Sequence, residues 1–392
     1  MEMKFADRMG SFEEGIFSVL NEKKNERIKK GLKVYNMSVG TPDFKPAQHI
    51  IDAVVEAAKK PENYKYALAD LPELLDAVAR RYETRYGVKG LKHSEITSVY
   101  GSQEGMTHIA WPLCNPGDIV LVPNPGYPIF SIGPELCGAK LVPYELHAEN
   151  NFLIEFDKIP EDLARAAKVM IVSYPLNPVC VTAPDDFYRD LIAFAKKYNI
   201  MIIHDNAYSD IVYGDQPGKS FLSFEGAKDV GVEFYSLSKS YNYTGARMSF
   251  VVGNEKIVQN YKKIRSQIDY GIFLPVQYGA IAALTGPQDQ VEWQRQEYSR
   301  RNHALSEGLT SIGWNVPLSQ GTMFSWAHIP DGFSNSVDFV IELMEKSGLI
   351  VTPGSSFGSL GEGYVRFALI LPPETIAQAV QSVKESGVLC RG

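Results

Sequence analysis

The chain has 392 residues, 45% of them hydrophobic and 22% charged, which is the composition of a soluble globular protein long enough for two domains. Its formal net charge of -7 argues against a nucleic-acid-binding surface, because such surfaces are normally basic. Four cysteines without CxxC spacing argue against a zinc site or a disulfide framework and favour the reducing cytoplasm, and no apolar run approaches the ~20 residues of a membrane span.

The N-terminal part of the chain predicts one charged helix followed by one short strand. Residues 1–14 are polar and acidic, which is not the pattern of a signal peptide. A helix is predicted over residues 13–30, and a strand over residues 34–39 ends at Gly40. Because a glycine lets a backbone N–H come close to a ligand, Gly40 is a candidate contact, although an ordinary turn would use the same residue.

Two amphipathic helices are predicted next, separated by a loop that contains Tyr66. The first covers residues 47–59. The second is marked by apolar side chains at helical spacing, namely Leu71, Leu74, Leu75, Val78 and Tyr82. Tyr66 therefore lies on a loop and in neither helix.

Small residues join a strand to a helix near position 100. A strand over residues 97–100 runs through Gly101, Ser102 and Gln103 into an apolar helix over residues 106–114. Such a junction leaves backbone N–H groups free at the positive end of a helix, which favours a phosphate. The dinucleotide fingerprint GxGxxG is absent from the chain, which argues against an NAD-dependent dehydrogenase.

Strands alternate with helices through the middle of the chain. Further strands are predicted over residues 119–122, 141–144, 169–173, 201–204 and 234–237, and a helix over residues 187–198. This alternation predicts an α/β fold with a mostly parallel sheet between helices and a ligand at the carboxyl ends of the strands. A polar helix over residues 288–309 and strands over residues 321–328 and 364–368 then predict a second, smaller α+β domain. We expect a large domain over residues 46–287 and a small one over residues 288–392, which residues 1–45 join.

Three charged side chains stand where strands end or where apolar residues surround them. Lys239 lies in a polar loop, and a lysine with a lowered pKa can condense with an aldehyde. Asp205 ends an apolar strand with Tyr208 three residues on, and a buried carboxylate needs a cationic or protonated partner. Arg366 interrupts an apolar strand and needs an anion. The alternatives are a surface lysine, a helix N-cap aspartate and a solvent-facing arginine.

The polar loop carries the motif Ser-x-Ser-Lys, formed by Ser236, Ser238 and Lys239, with Arg247 eight residues after the lysine. This motif resembles the pyridoxal 5'-phosphate (PLP) attachment site of class I/II aminotransferases, the fold-type I group. The similarity runs over nearly the whole chain, and it is greatest to the LL-diaminopimelate aminotransferase branch. The resemblance implies a fold-type I enzyme that exchanges an amino group between an L-amino acid and a 2-oxo acid by a ping-pong mechanism.

The resemblance also implies which residues hold the ring of the cofactor. Lys239 would hold its aldehyde and later move the substrate's α-proton. Asp205 would keep the pyridine nitrogen protonated, so that the ring can accept charge. Tyr208 and Asn177 would contact the ring hydroxyl from opposite sides, and Tyr127 would stack on the ring face.

Further residues are implied for the phosphate, the substrate and the partner subunit. The phosphate would be bound by Ser102, Gln103, Ser236, Ser238 and Arg247. The substrate's α-carboxylate would meet Arg366 and the backbone at Gly40, with Tyr127 and Asn177 nearby. Tyr66 would cross the interface of a homodimer to the partner's cofactor phosphate, and residues 270–273 would reach the same neighbouring site. No metal is implied.

The chain departs from the family pattern at several positions. Val179-Cys180 replaces the usual Thr-Gly after Asn177, and Asp70 stands where a glycine is usual. Gln103 and Gly15 stand where the diaminopimelate branch often has Lys and Tyr. The identity of the amino donor therefore stays open, and the candidates are LL-diaminopimelate, aspartate and alanine. A PLP-dependent β-lyase on the same fold is the alternative activity, whereas a catalytically silent regulator would be expected to carry an additional nucleic-acid-binding domain.

Overall fold

The boundaries of the helices follow from a few residues at their ends. A computed structural model describes residues 3–11, 17–215 and 217–390, so the start of the helix predicted over residues 13–30 and the position of Gly15 lie outside the described residues. The helices are α1 (Phe17–Lys29), α2 (Gln48–Ala58), α3 (Pro72–Tyr86), α4 (Ser102–Leu113), α5 (Ile129–Leu136), α6 (Glu161–Ala166), α7 (Asp185–Tyr198), α8 (Ala227–Val230), α9 (Leu237–Ser240), α10 (Glu255–Arg265), α11 (Leu274–Thr285), α12 (Asp289–Ser311), α13 (Ser336–Ser347) and α14 (Pro373–Ser386). Helix α3 begins with Pro72, which needs no N–H partner there, and it ends at Gly87 with a φ of 72°.

A seven-stranded sheet organises the middle of the molecule. The strands are β1 (Tyr35–Asn36), β2 (Ile96–Val99), β3 (Ile119–Asn124), β4 (Lys140–Glu145), β5 (Ala167–Ser173), β6 (Met201–Asn206), β7 (Gly231–Ser236), β8 (Ser249–Gly253), β9 (Phe324–His328), β10 (Leu349–Ile350), β11 (Thr352–Pro353) and β12 (Tyr364–Ala368). The order in the large sheet is β2-β8-β7-β6-β5-β3-β4, and β8 alone runs against its neighbours. The predicted α/β fold with a mostly parallel sheet is confirmed.

Helices cover both faces of this sheet, as neighbouring residues of β7 demonstrate. Phe234 and Tyr235 are consecutive and therefore point to opposite faces. A Cβ at Gly105 of α4 would lie 2.6 Å from the Phe234 ring, so α4 packs closely on one face. On the other face, the rings of Tyr235 and Tyr82 of α3 lie 5.8 Å apart. Both faces are thus closed to water, which explains why the central strands are nearly continuous apolar runs.

The C-terminal part contains a three-stranded antiparallel sheet in the order β11-β12-β9. The N-terminal strand β1 pairs in parallel with β10, and Tyr35 aligns with Leu349. These contacts agree with an N-terminal segment that joins the C-terminal domain, although the domain boundaries stay a prediction. The strand predicted over residues 321–328 begins only at Phe324, because Thr322 has a φ of 73° and Gly321 forms an isolated bridge to Val212.

The carboxyl ends of the parallel strands lie along one edge of the sheet. Strand β3 leads to Tyr127, β5 to Asn177, β6 to Asp205 and β7 to Lys239. The edge of the sheet is therefore the place where side chains from distant parts of the sequence meet.

Among residues 3–11, 17–215 and 217–390, none of the helices combines the length and the apolar character of a membrane-spanning segment.

Candidate active site

A cavity of about 280 Å³ lies at this edge. It is lined by Val39, Gly40, Thr41, Ser102, Gln103, Met106, Tyr127, Ile129, Asn177, Asp205, Ala207, Tyr208, Ser236, Ser238, Lys239, Thr244, Arg247, Phe324 and Arg366. Every residue that the resemblance implied for the chain's own cofactor or substrate is present, whereas Tyr66 and residues 270–273, which it implied for the partner's site, are not. The size is close to the ~300 Å³ at which small-molecule pockets begin.

Lys239 projects into the cavity from the short helix α9. The Oγ of Ser236 accepts the N–H of Ser238 at 3.2 Å and so caps the start of this helix. The Lys239 ammonium donates to the carbonyl oxygen of Gly40 at 2.6 Å. Burial lowers the pKa of Lys239 to about 8, and the nearby charges of Arg366 and Arg247 act in the same direction. The lysine is thus poised to lose its proton near neutral pH.

Asp205 faces the cavity from the end of β6 with an unsatisfied oxygen. The side chain is buried, and within the described residues its Oδ1 has no hydrogen-bond partner. Burial raises the pKa of Asp205 to about 6. A buried carboxylate with a free oxygen is a strong acceptor for a charged donor that enters the cavity.

A cradle of hydroxyls and N–H groups lies at the start of α4. The Oγ of Ser102 donates to the Oγ of Ser249 at 3.2 Å, which in turn donates to that of Ser236 at 3.0 Å. A Cβ at Gly101, where φ is 80°, would collide with the guanidinium of Arg247. Gly101 is therefore required for the close approach of Arg247, and the combination of a helix N-terminus with an arginine suits a phosphate.

Arg366 lines the same cavity and is held by hydrogen bonds and by two aromatic rings. Its Nη1 donates to the Oδ1 of Asn177 at 2.8 Å, and its Nη2 donates to the carbonyl oxygen of Ser38 at 3.1 Å. The guanidinium carbon lies 4.1 Å from the ring centre of Phe324 and 4.7 Å from that of Phe357. Burial lowers the pKa of Arg366 to about 10. A buried cation between two aromatic rings can take up an anion such as a carboxylate.

The glycine at position 40 has a steric role that the sequence did not reveal. A Cβ at Gly40 would overlap the ring of Phe324. Phe324 in turn stacks on Arg366, so Gly40 allows the ring and the guanidinium to keep their places. We interpreted Gly40 as a site of close backbone approach to a ligand, and its contact with Phe324 is a second reason for a glycine there.

A hydrogen-bonded turn follows Asn177, at the position where the chain departs from the family pattern. Cys180 has a φ of 64° and thus adopts the left-handed conformation that a glycine adopts without strain. The N–H of Cys180 donates to the carbonyl oxygen of Leu176 at 2.6 Å, which closes the turn. Burial raises the pKa of the Cys180 thiol to about 12, so this cysteine is not a nucleophile.

Tyr66 lies outside the cavity of its own chain. Its side chain is 76% exposed, and its ring centre lies 5.2 Å from that of Tyr270, which is 61% exposed. The neighbouring Asp70 accepts hydrogen bonds from the N–H of Ser98 at 2.9 Å and from the hydroxyl of Thr97 at 3.3 Å. Asp70 therefore ties the loop that contains Tyr66 to β2, which is a role that a glycine cannot perform.

Several cavity residues were not identified from the sequence. They are Val39, Thr41, Met106, Ile129, Ala207, Thr244 and Phe324. No sequence pattern indicated Phe324 as a residue of the site, because an aromatic residue in a strand usually packs in the core. Thr244 lies within the lysine loop, where its hydroxyl donates to the carbonyl oxygen of Ser238 at 2.9 Å, so proximity to Lys239 could have indicated it.

The side chains present fit PLP. The unsatisfied Asp205 oxygen is complementary to a protonated ring nitrogen, the Arg247 cradle to a phosphate, and Lys239 to an aldehyde. In the described part of the chain, no group of three or more His, Cys, Asp or Glu side chains is arranged to hold a metal ion. The donor set therefore matches an organic phosphate with a basic ring.

The pKa shifts predict how the stability of the cofactor-free protein depends on pH. The native pKa of Asp205, about 6, exceeds the unfolded value of ~4, so the native state binds the proton more tightly. Its contribution to the free energy of unfolding is complete below about pH 4 and falls by about 2–3 kcal/mol as the pH rises through 6. Lys239 acts in the opposite direction, because its native pKa is lowered. Its contribution is smallest below about pH 8 and rises towards about pH 10.

Urea denaturation of the cofactor-free protein between pH 4 and pH 10 (about the range set by these pKa values) measures both contributions. As the pH rises from about 4 to about 6, the free energy of unfolding of the wild type should fall relative to that of Asp205→Asn. As the pH rises from about 8 to about 10, it should increase relative to that of Lys239→Met. Differences that stay constant with pH would contradict the two pKa shifts.

Comparisons with known proteins agree with this geometry. A family model described as aminotransferase class I and II matches residues 33–383. The LL-diaminopimelate aminotransferase of Halothermothrix orenii is 41% identical over 98% of this chain and 99% of its own length. Substrate-bound BacF from Bacillus subtilis has a TM-score of 0.93 at 35% identity and covers 98% of both chains. A probable N-succinyldiaminopimelate aminotransferase from Thermus thermophilus has a TM-score of 0.89 at 31% identity, over 95% of this chain and 100% of its own.

Proposed function

This chain belongs to the class I and II aminotransferases, which use PLP, and we propose from that premise which residues act and which substrates they select. The enzyme transfers an amino group between an amino acid and a 2-oxo acid. We propose a ping-pong course in which the first product leaves before the second substrate binds. The observation that carries the proposal is the single cavity in which Lys239, Asp205 and Arg366 meet.

Lys239 is proposed as the residue that holds the cofactor and moves the proton. When bound, PLP stores the electron pair that the substrate's α-carbon releases. Lys239 would take up the α-proton on its Nζ as that electron pair is released, for which a pKa of about 8 is well suited near neutral pH. The carbonyl oxygen of Gly40 accepts from the ammonium at 2.6 Å and gives the freed side chain a defined position.

Asp205, Tyr208, Asn177 and Tyr127 are proposed to fix the ring. Asp205 would accept a hydrogen bond from the protonated ring nitrogen through its unsatisfied oxygen. Arg366 occupies the Oδ1 of Asn177, which leaves the Nδ2 group of Asn177 free to donate to a ring oxygen. Tyr208 donates from the other side, and Tyr127 covers the ring face.

The cavity is proposed to bind two anions. The phosphate binds to the cradle formed by Ser102, Gln103, Ser236, Ser238 and Arg247. The substrate's α-carboxylate binds to Arg366, and the backbone at Gly40 completes that site. Because the charges of Arg247 and Arg366 both act on Lys239, anions bound to the two arginines would hold the substrate's α-carbon near Lys239.

LL-diaminopimelate is the first amino donor that we propose to test, because the 41% identical relative is an LL-diaminopimelate aminotransferase. Aspartate and alanine are the other candidates, since Gln103 stands where that branch often has a lysine. A panel of these donors with 2-oxoglutarate decides between them through the ratio of kcat/KM values. A donor with a β-leaving group that yields ammonia and pyruvate without a 2-oxo acid acceptor would indicate a β-lyase instead.

A homodimer with shared active sites is proposed as the working unit. Tyr66 and Tyr270 form one exposed aromatic pair, and Tyr64 and Phe273 form another with ring centres 5.3 Å apart. A cluster of exposed aromatic side chains is typical of a protein interface. The four free thiols are consistent with the cytoplasmic location that we propose.

Hybrid dimers test whether Tyr66 acts across the interface. A Lys239→Ala chain is mixed with a Tyr66→Phe chain, after each homodimer has been assayed alone. If Tyr66 serves the partner's phosphate, one site of the hybrid contains wild-type Lys239 and wild-type Tyr66. The hybrid should then recover about half of the wild-type activity, which is one active site of two. If Tyr66 acted within its own chain, the hybrid would have no intact site, and activity no higher than that of the parents would reject the cross-subunit role.

A further inference from the structure

A fully buried carboxylate lies on the face of the sheet opposite Asp205. His204 precedes Asp205 on β6, and because consecutive strand residues point to opposite faces, His204 points away from the cavity. Its partner across the β6–β7 ladder is Glu233. Both side chains have 0% of their surface exposed. Neither lines the cavity, so the contacts with substrate and cofactor proposed above do not involve them.

Four donors converge on the carboxylate of Glu233. They are the hydroxyl of Tyr82 at 2.9 Å, the hydroxyl of Ser220 at 2.7 Å, the N–H of Phe221 at 2.7 Å and the Nδ1 of His204 at 3.0 Å. A carboxylate that accepts this many hydrogen bonds is held in its ionised form. In the described part of the chain, no Lys or Arg pairs with Glu233, so only His204 could neutralise it.

The surroundings of His204 decide its charge. Its Nε2 is buried, and the described residues offer it no hydrogen-bond partner. The ring packs against Tyr188 and Phe221, with ring centres 5.8 Å and 5.7 Å away. An imidazolium would leave a charged N–H without an acceptor, which costs more than an unpaired nitrogen lone pair. His204 is therefore neutral with its proton on Nδ1, and Glu233 keeps its negative charge.

The other groups around the pair do not cancel this charge. Tyr82 approaches from α3 and Tyr188 from α7, and burial raises the pKa of both phenols well above their ordinary value. Both phenols stay neutral. Tyr82 donates a hydrogen bond to Glu233, and Tyr188 packs against the ring of His204. The buried pair thus contributes one net negative charge directly behind Asp205.

We propose that Glu233 is a positioning residue for the aminotransferase reaction, whose charge acts through the sheet on Asp205 and on the ring nitrogen that Asp205 faces. The inference rests on the proposed role of Asp205. The negative charges of Glu233 and Asp205 together would hold the proton of the ring nitrogen more firmly than Asp205 does alone. One charge at roughly 10 Å in a protein interior changes the equilibrium constant for protonation of a group such as this ring nitrogen by about tenfold.

The substitution Glu233→Gln removes this charge and retains the shape. The amide oxygen can accept from Phe221 and His204, and the hydroxyls of Tyr82 and Ser220 can rotate to accept from the amide nitrogen. Tyr82→Phe is the matched control, because it removes one hydrogen bond and leaves the charge. The readouts are the 15N chemical shift of ring-labelled PLP and the dissociation constant of PLP from the cofactor-free protein.

Glu233→Gln should move the 15N shift towards that of neutral pyridine and weaken PLP binding about tenfold, as expected for one charge. Tyr82→Phe should leave the ring nitrogen protonated. An unchanged shift and an unchanged dissociation constant in folded Glu233→Gln would overturn the inference. Should Glu233→Gln fail to fold, the 15N signal of His204 in the wild type decides the question, because an imidazolium there would neutralise Glu233 and refute the proposal.

Asp205→Asn in the same assay separates this inference from the proposed function. If Asp205→Asn loses the ring proton and Glu233→Gln keeps it, only the role of Glu233 is refuted. If Asp205→Asn also keeps the ring proton, the proposed role of Asp205 fails, and the inference fails with it.

Discussion

Replacement of Lys239 by alanine is expected to lower kcat by at least about a thousandfold, while PLP still binds. The substitution removes the proposed base and the amine that holds the aldehyde, and catalytic groups of this kind have effects of this size. The phosphate cradle around Arg247 is untouched, so cofactor affinity should fall far less than turnover. The fold should persist, because the variant also removes an ammonium whose burial is unfavourable.

Lys168→Ala is the matched control for Lys239→Ala. Lys168 pairs with Asp118 at 2.6 Å and lies outside the cavity lining. Steady-state assays of both variants at saturating PLP, together with the absorbance of the bound cofactor, measure turnover and occupancy separately. A tenfold change in rate corresponds to about 1.4 kcal/mol of activation free energy. If a fully loaded Lys239→Ala protein kept its turnover within tenfold of the wild type, the proposed role would be excluded.

Asp205→Asn is expected to lower kcat by at least about a hundredfold, the effect of removing one electrostatic stabiliser from a buried site. Asparagine keeps the shape of the side chain but has no negative charge to balance the positive charge of a protonated ring nitrogen. Without that proton the ring accepts the substrate's electron pair less readily. Since the Asp205 oxygen is unsatisfied in the cavity, its replacement breaks no hydrogen bond of that oxygen within the described residues.

The measurement for Asp205→Asn is a single-turnover assay with enzyme loaded to the same PLP occupancy as the wild type. This design removes the effect of weaker cofactor binding from the comparison. Asp118→Asn is the control, because Asp118 and its partner Lys168 lie at the amino ends of β3 and β5, whereas Asp205 lies at the carboxyl end of β6. An unchanged rate in the loaded Asp205→Asn enzyme would refute an electrostatic role for this carboxylate.

The sheet and most of the cavity could be predicted because both depend on local sequence signals. Buried parallel strands are apolar runs, and Asp205 and Lys239 follow such runs directly. Parallel strands place their carboxyl ends at one edge, so residues that follow different strands meet there. The resemblance to a family then supplied roles for residues such as Asn177, whose local sequence is uninformative.

The rest of the site depends on contacts between distant segments, which local patterns do not encode. Phe324 and Phe357 enclose Arg366, although one lies on β9 and the other on a loop before β12. Glu233 lies one residue before the strand predicted over residues 234–237, and its donors Tyr82 and Ser220 come from elsewhere in the sequence. The strand predicted from residue 321 failed at its start because the φ of 73° at Thr322 has no sequence signature.

Identification of the residue that carries the cofactor tests the central claim most directly. The purified enzyme is treated with borohydride, digested, and mapped for the peptide to which PLP has become permanently attached. We expect one labelled peptide, which contains Lys239, together with loss of the yellow colour. Attachment of PLP to a different lysine would exclude Lys239 as the residue that carries the cofactor.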